Sequence, residues 1–245
     1  MIRQEKRKGT FSERKANKYL KLGLLFLIPF LVLWLTSIHS LPFYIDIGIF
    51  NGNCEFLKGV LLTLGMFFIM LPYSTWKSGL TGERNVVKNV SDKLSSDYSM
   101  FNDVLLKDGK RGNIDHIIVG STGVFVIETK NNEGTITYDG YWKGIRGNPS
   151  EQANSNMFRI KDILKKCEVF KKKDPYVKSI VVFANRKANL KILEEPKWGC
   201  RVVQIKKQTD SSLSDYIESE PLRFSDEEIK SIEQSLRISI GNYDE

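Results

Sequence analysis

Three charged side chains interrupt two consecutive apolar runs. Asp115 lies in Ile114-Asp115-His116-Ile117-Ile118-Val119-Gly120, and Glu128 and Lys130 lie in Gly123-Val124-Phe125-Val126-Ile127-Glu128-Thr129-Lys130. The runs are rich in β-branched residues and are joined by a Gly-Ser-Thr-Gly turn, which predicts a β-hairpin of buried strands. A carboxylate in a buried strand gives up hydration at a large cost unless a metal or an opposite charge replaces it. Glu128 and Lys130 are two residues apart, so on a strand they project from one face, and a suitable register brings Asp115 to Glu128. Converging carboxylates with few sulfur or imidazole groups favour Mg²⁺ or Mn²⁺. Beside such an ion, Lys130 would orient or deprotonate a water, or offset charge developing at phosphorus. That is equipment for metal-assisted phosphodiester hydrolysis. His116 should point to the opposite strand face and serve packing.

Several elements must position these residues. Val86, Val87, Val90 and Leu94 fall on one face of a helix predicted from Glu83 to about Ser96. Residues 103–106 read as a strand, the hairpin as strands 113–119 and 123–130, and residues 134–138 as a third, half-exposed strand. Asn148-Pro149-Ser150 marks a helix start with proline at its first position, running to about Lys172. Residues 179–184 and 201–205 read as further strands, and Ser225-Asp226-Glu227-Glu228 is a capping box opening a last helix. The order describes an α/β domain, a mixed sheet flanked by helices.

Ahead of that domain stand two apolar runs, 22–38 and 56–72, each near the lower limit for a bilayer-spanning helix. Residues 1–21 carry eight Lys/Arg against two Glu, and the segment 39–55 carries none. The positive-inside rule then places the N-terminus and everything after the second run in the cytoplasm. The expected organisation is a basic N-terminus (1–21), transmembrane helices at 22–38 and 56–72 around an outer loop (39–55), a linker (73–82), a cytoplasmic α/β domain (83–207) and an acidic helical segment (208–245). Of the net charge of +8, residues 1–21 contribute +6, 77–207 contribute +10 and 208–245 contribute −7. The N-terminal share is explained by topology and anionic lipid. The central share is compatible with a polyanionic substrate without being specific for one. Three scattered cysteines and two histidines exclude a disulfide framework and a zinc site of cysteine/histidine spacing.

Gly82-Glu83, the Ile-Asp-His-Ile-Ile-Val-Gly and Gly-Val-Phe-Val-Ile-Glu-Thr-Lys strands, Gly134, and Asn148-Pro149-x-x-Gln152 form an ordered set. Together they resemble the nuclease-related domain (NERD) family of the PD-(D/E)xK nuclease-like superfamily, over residues ~79–190. The resemblance implies a restriction-endonuclease-like fold with an α-β-β-β-α-β core. It implies Asp115 and Glu128 as ligands of Mg²⁺ or Mn²⁺, Lys130 as the catalytic lysine, Glu83 as a helix-borne acid completing the site, and Gln152 as a group positioning water or substrate. The implied protein is a membrane-anchored nuclease acting on DNA or RNA at the cytoplasmic face. The alternative is a non-catalytic scaffold module that binds nucleic acid or protein at the membrane. Lys165 and Lys166 are candidate phosphate contacts, and Tyr141 and Trp142 candidate base-stacking groups.

Overall fold

The computed structural model describes residues 3–5, 10–36, 53–108, 112–171, 173–207 and 210–241. Most of the expected outer loop lies outside the described residues. The chain divides into two compact units, Gly9–Leu80 and Met1–Lys8 with Thr81–Glu245.

The first unit holds α1 (Phe11–Thr36) and α2 (Asn53–Phe68). α1 starts well before the expected span because Thr10 Oγ1 accepts the Glu13 N–H at 3.2 Å, capping the helix ahead of its basic turns. The helix Phe11–Leu35, 25 residues with an 18-residue window of mean hydropathy 1.8, is long and apolar enough to cross a membrane, a property that an N-terminal signal sequence shares. A two-helix anchor is not shown: the apolar part of α2, Phe56–Phe68, is shorter than a bilayer-spanning helix needs by itself. A π-helical turn, Ile69–Tyr73, interrupts it. Pro72 explains the turn, since proline lacks the N–H and crowds the carbonyl four residues back. The two helices cross at glycines: a Cβ on Gly23 would stand 3.1 Å from the Gly65 carbonyl oxygen, and one on Gly65 equally close to that of Gly23. The Phe26 and Phe68 rings stack at 5.7 Å. Leu25, Ile28, Val32, Phe56, Phe67 and Met70 face outward.

The expected linker at 73–82 is also corrected, because α3 runs Ser74–Ser91. Its serines and glycines read as a flexible link, but Ser74 Oγ donates back to the Met70 carbonyl, a bond compatible with helix.

The second unit is built on a six-stranded sheet in the order β1-β2-β3-β4-β7-β9. Its strands are β1 (Arg3–Glu5), β2 (Ser99–Val104), β3 (Ile114–Gly120), β4 (Gly123–Lys130), β7 (Val177–Phe183) and β9 (Arg201–Gln204). β2, β3 and β4 are antiparallel, while β7 and β9 follow parallel to β4, and β1 lies parallel to β2. α4 (Pro149–Leu164) and α6 (Asp226–Ser239) cover one face, burying Ile160, Leu164, Ile232 and Leu236 against Ile117, Val119, Val124 and Val126. α3 and α5 (Ser212–Ser219) cover the other, with Val86, Val90, Leu213 and Ile217 on Ile118, Phe125 and Ile127. Burial on both faces is why the hairpin strands read as continuous apolar runs rather than as alternation.

Three expectations change. Residues 134–138 do form β5 (Gly134–Tyr138), but in a second sheet, between β6 (Trp142–Lys143) and β8 (Ala188–Ile192). β4 already spends its open edge on β7, so the following strand has to pair elsewhere. Of the acidic segment, the described residues 210–241 belong to the same unit as the sheet. α5 and α6 close the two faces of the sheet, and the Ser225 capping box forms as expected. The helix expected from 149 to about 172 ends at Leu164 and is followed by a 3₁₀ turn, Glu168–Phe170.

Candidate active site

The strand register assembles the carboxylates. His116 pairs with Ile127, so one residue further along the antiparallel ladder Asp115 comes opposite Glu128. Asp115 Oδ2 accepts the Thr129 N–H at 2.7 Å. Glu128 is 3% exposed, and its Oε1 accepts from Lys130 Nζ at 2.7 Å. Lys130 Nζ also donates to Gln152 Oε1 at 3.2 Å, joining β4 to the first turn of α4.

Each flanking helix is fixed locally. Asn148 caps α4 by accepting the Glu151 N–H at 3.1 Å, with Pro149 at the first helical position. Ser150 Oγ receives the Trp142 indole N–H at 2.9 Å and donates to Asn148 Oδ1 at 2.9 Å, so the small sheet is bolted to the turn that carries Gln152. On α3, Gly82 is a contact glycine: a Cβ there would lie 2.8 Å from Asn131 Cβ. Only a bare backbone lets α3 approach the end of β4, and Glu83 follows directly, half-buried.

Electrostatics mark this cluster. Burial, first, and the neighbouring Asp115 push the Glu128 carboxyl well above its ordinary range; Lys130 opposes the rise and Glu83 adds to it. Asp115 is likewise raised, chiefly by burial, against the pull of the Thr129 N–H and Lys130. Glu128 Oε2 is buried and has no hydrogen-bond partner among the described residues. Among those residues no three His, Cys, Asp or Glu side chains form a ready-made metal cage. The orphaned oxygen and the pair of repelling carboxylates nonetheless fit a hard divalent cation held by Asp115 and Glu128.

The other sequence candidates fall elsewhere. Lys165 and Lys166 are exposed at the far end of α4, about 20 Å along the helix from Gln152. Trp142 packs between Tyr138 at 5.0 Å and Phe183 at 5.7 Å. Tyr141 is 59% exposed, with Lys143 Nζ 4.3 Å from its ring centre. His116 faces away from Asp115, pairs its Nδ1 with Asn102 Oδ1 at 2.7 Å, and is held neutral by burial, its pKa lowered to about 3.

One acid escaped the sequence reading. Asp103 is buried on β2 and, between the pairs Asn102–His116 and Val104–Ile114, stands opposite Asp115. Its φ of 54° breaks the strand locally, and its charge contributes to raising Asp115. The only signal available was an Asn-Asp pair inside a short apolar stretch.

Residues 78–184 match the family model of the nuclease-related domain, NERD. The matched segment runs from within α3 to just past β7 and contains Glu83, Asp115, Glu128, Lys130 and Gln152. The mixed sheet flanked by helices fits a nuclease-like fold, and the match suggests a nuclease-like role and contact with nucleic acid. The chain is also similar to an uncharacterized protein of Bacillus anthracis, 41% identical over 63 residues. That alignment takes in 25% of this chain and 29% of the relative, so the chain spans less than a third of the protein it matches. No solved structure matches the chain.

Proposed function

We propose that the protein is a membrane-anchored, divalent-metal-dependent nuclease of the PD-(D/E)xK type, cleaving phosphodiester bonds of DNA or RNA. The observation that carries this reading is the buried Glu128 oxygen without a partner, next to a second buried carboxylate and a lysine. Asp115 and Glu128 would hold Mg²⁺ or Mn²⁺, which when bound supplies Lewis-acid stabilisation of charge at phosphorus. Lys130, released from Glu128 Oε1, turns its Nζ toward the scissile phosphate and offsets the negative charge that grows there. Gln152 keeps that amine aimed and offers its amide to a water or phosphate oxygen. Glu83, on the opposite helix, accepts from the attacking water and orients it. Burial of Glu128 excludes bulk water, so these groups act in a medium of low polarity.

We assign α1 as the anchor. The cytoplasmic placement of the catalytic unit requires the chain to return through the bilayer, and it rests on the charge contrast between residues 1–21 and 39–55. The close Gly23–Gly65 crossing supports α2 packing on α1 within lipid. Protease treatment of spheroplasts tests it: protection of the catalytic unit is expected, and digestion from outside would leave α1 as a single span.

For activity, the whole chain in detergent is incubated with labelled single- and double-stranded DNA and RNA and with Mg²⁺ or Mn²⁺. Metal-dependent cleavage, reduced roughly 100-fold or more in D115A and K130A, is expected. Salt-sensitive binding without turnover under either metal would favour the scaffold alternative. Cleavage unchanged in both variants would refute the site.

A further inference from the structure

Beside the first turns of α4 lies a cleft of about 540 Å³, lined among others by Tyr138, Ser150, Glu151, Ser155, Phe158 and Trp198. That volume is in the range of small-molecule sites. Trp198 is 73% exposed, although burying so large a ring is favourable. Its φ is 65°, a left-handed conformation that a bulky residue keeps only where its surroundings impose it. The constraint is visible. Asn154 Nδ2 donates to the Lys197 carbonyl at 3.0 Å and Asn154 Oδ1 accepts from Ser179 Oγ at 2.6 Å, tying the turn Lys197–Gly199 to α4 and β7. Phe158 meets the indole edge to face, with ring centres 5.5 Å apart.

We propose that this cleft receives one unpaired nucleobase, stacked on Trp198, of a single-stranded nucleic acid whose neighbouring phosphodiester lies at the Asp115–Glu128–Lys130 site. The proposal rests on the nuclease reading and narrows its substrate to single strands. Position supports it, because Glu151 and Ser155 share the helical turns that carry Gln152, and Phe158 is six residues on, about 9 Å along the axis. Chemistry supports it too. The formal charges of Lys197 and Glu151 cancel in the lining, and its other polar side chains are uncharged hydroxyl and amide groups, with Tyr138 among them. Such a lining suits the flat, uncharged and hydrogen-bonding surface of a base better than a phosphate. A base inside a duplex cannot present its face to an indole. The cleft on the other side of Trp198, about 480 Å³, is a poorer candidate. It lies toward the N-terminal end of β7, away from Lys130, and its Lys161 and Lys178 are paired to Asp174 and Glu220 at 2.5 Å.

The test uses the whole chain in detergent with Ca²⁺ in place of Mg²⁺, so that the carboxylates are compensated and binding is read without turnover, by fluorescence anisotropy of a dye-labelled oligonucleotide. W198A should weaken single-strand binding about 10-fold, and W198F should recover most of the loss. An oligonucleotide with a run of abasic positions should lose a similar factor with wild-type protein and no more with W198A. Duplex binding should not respond to W198A. Wild-type binding that is indifferent to both W198A and the abasic run overturns the stacking proposal alone. A wild-type protein that binds no nucleic acid of any kind overturns the nuclease reading, and this proposal with it.

Discussion

Replacing Glu128 by glutamine should make the metal-free protein more stable at pH 8, although it deletes an ion pair. Burial and the charge of Asp115 raise the Glu128 carboxyl from 4.5 to about 8. A carboxyl whose folded value lies above its unfolded one binds a proton more tightly in the folded state. Its contribution is therefore intact below pH 4.5 and is lost as pH rises toward 8. At about 1.4 kcal/mol per pH unit the full shift would be worth about 5 kcal/mol; because the neighbouring Asp115 carboxyl shares the titration, an effect of about 2 kcal/mol is expected. Lys130 is 21% exposed and can hydrate its amine when Glu128 is gone, so the lost pair offsets little. For a chain of this size that corresponds to a gain in Tm of roughly 4–8 °C at pH 8, vanishing near pH 4.5. Differential scanning fluorimetry in EDTA between pH 4.5 and 8.5 measures it. Added Mg²⁺ should lift the wild-type Tm most at the alkaline end and leave E128Q unmoved, because the cation replaces the proton. A wild-type Tm that rises steadily from pH 5 to 8, or an E128Q variant less stable than wild type at pH 8, would refute the reasoning.

Other perturbations separate site from scaffold. Gly82→Ala should cost about 1–3 kcal/mol of stability, read by urea unfolding, because the new Cβ would stand 2.8 Å from Asn131 Cβ. It should also depress cleavage by moving Glu83. Arg159 is 5% exposed, grips Asp108 at 2.7 and 3.0 Å and reaches Asn156 Oδ1 at 3.0 Å; because water can reach Asp108 when the guanidinium is removed, Arg159→Ala should destabilise by about 1–3 kcal/mol, with lysine a poor substitute. Lys165→Ala with Lys166→Ala should change nucleic-acid affinity less than about 2-fold in a filter-binding assay, since both project from the end of α4 remote from Gln152.

What the sequence disclosed followed from local rules. The β3–β4 hairpin was legible because strands buried on both faces must be almost wholly apolar, so Asp115, Glu128 and Lys130 stood out against them. Pro149 after Asn148 and the Ser225 box were legible because helix ends need particular side chains. Pairing across long distances was not. Nothing within residues 134–138 says that β7 takes the edge of β4 and sends β5 to a second sheet with β8. α3 was mistaken at its start because Ser74, Ser78, Gly79 and Gly82 resemble a linker until Asn131 is seen against Gly82. Trp198 was passed over because a tryptophan between glycine and lysine in a loop has no periodic context. Asp103 is recognisable only once the register sets it across from Asp115.

Crystals of the protein grown with Mn²⁺ and measured for anomalous scattering give the most direct test. An anomalous peak between Asp115 and Glu128, contacting Glu128 Oε2 and with Lys130 Nζ displaced from Glu128, is the expected result. Saturating Mn²⁺ that leaves no peak there, with Lys130 still bonded to Glu128 Oε1, would contradict a metal-dependent nuclease at this site.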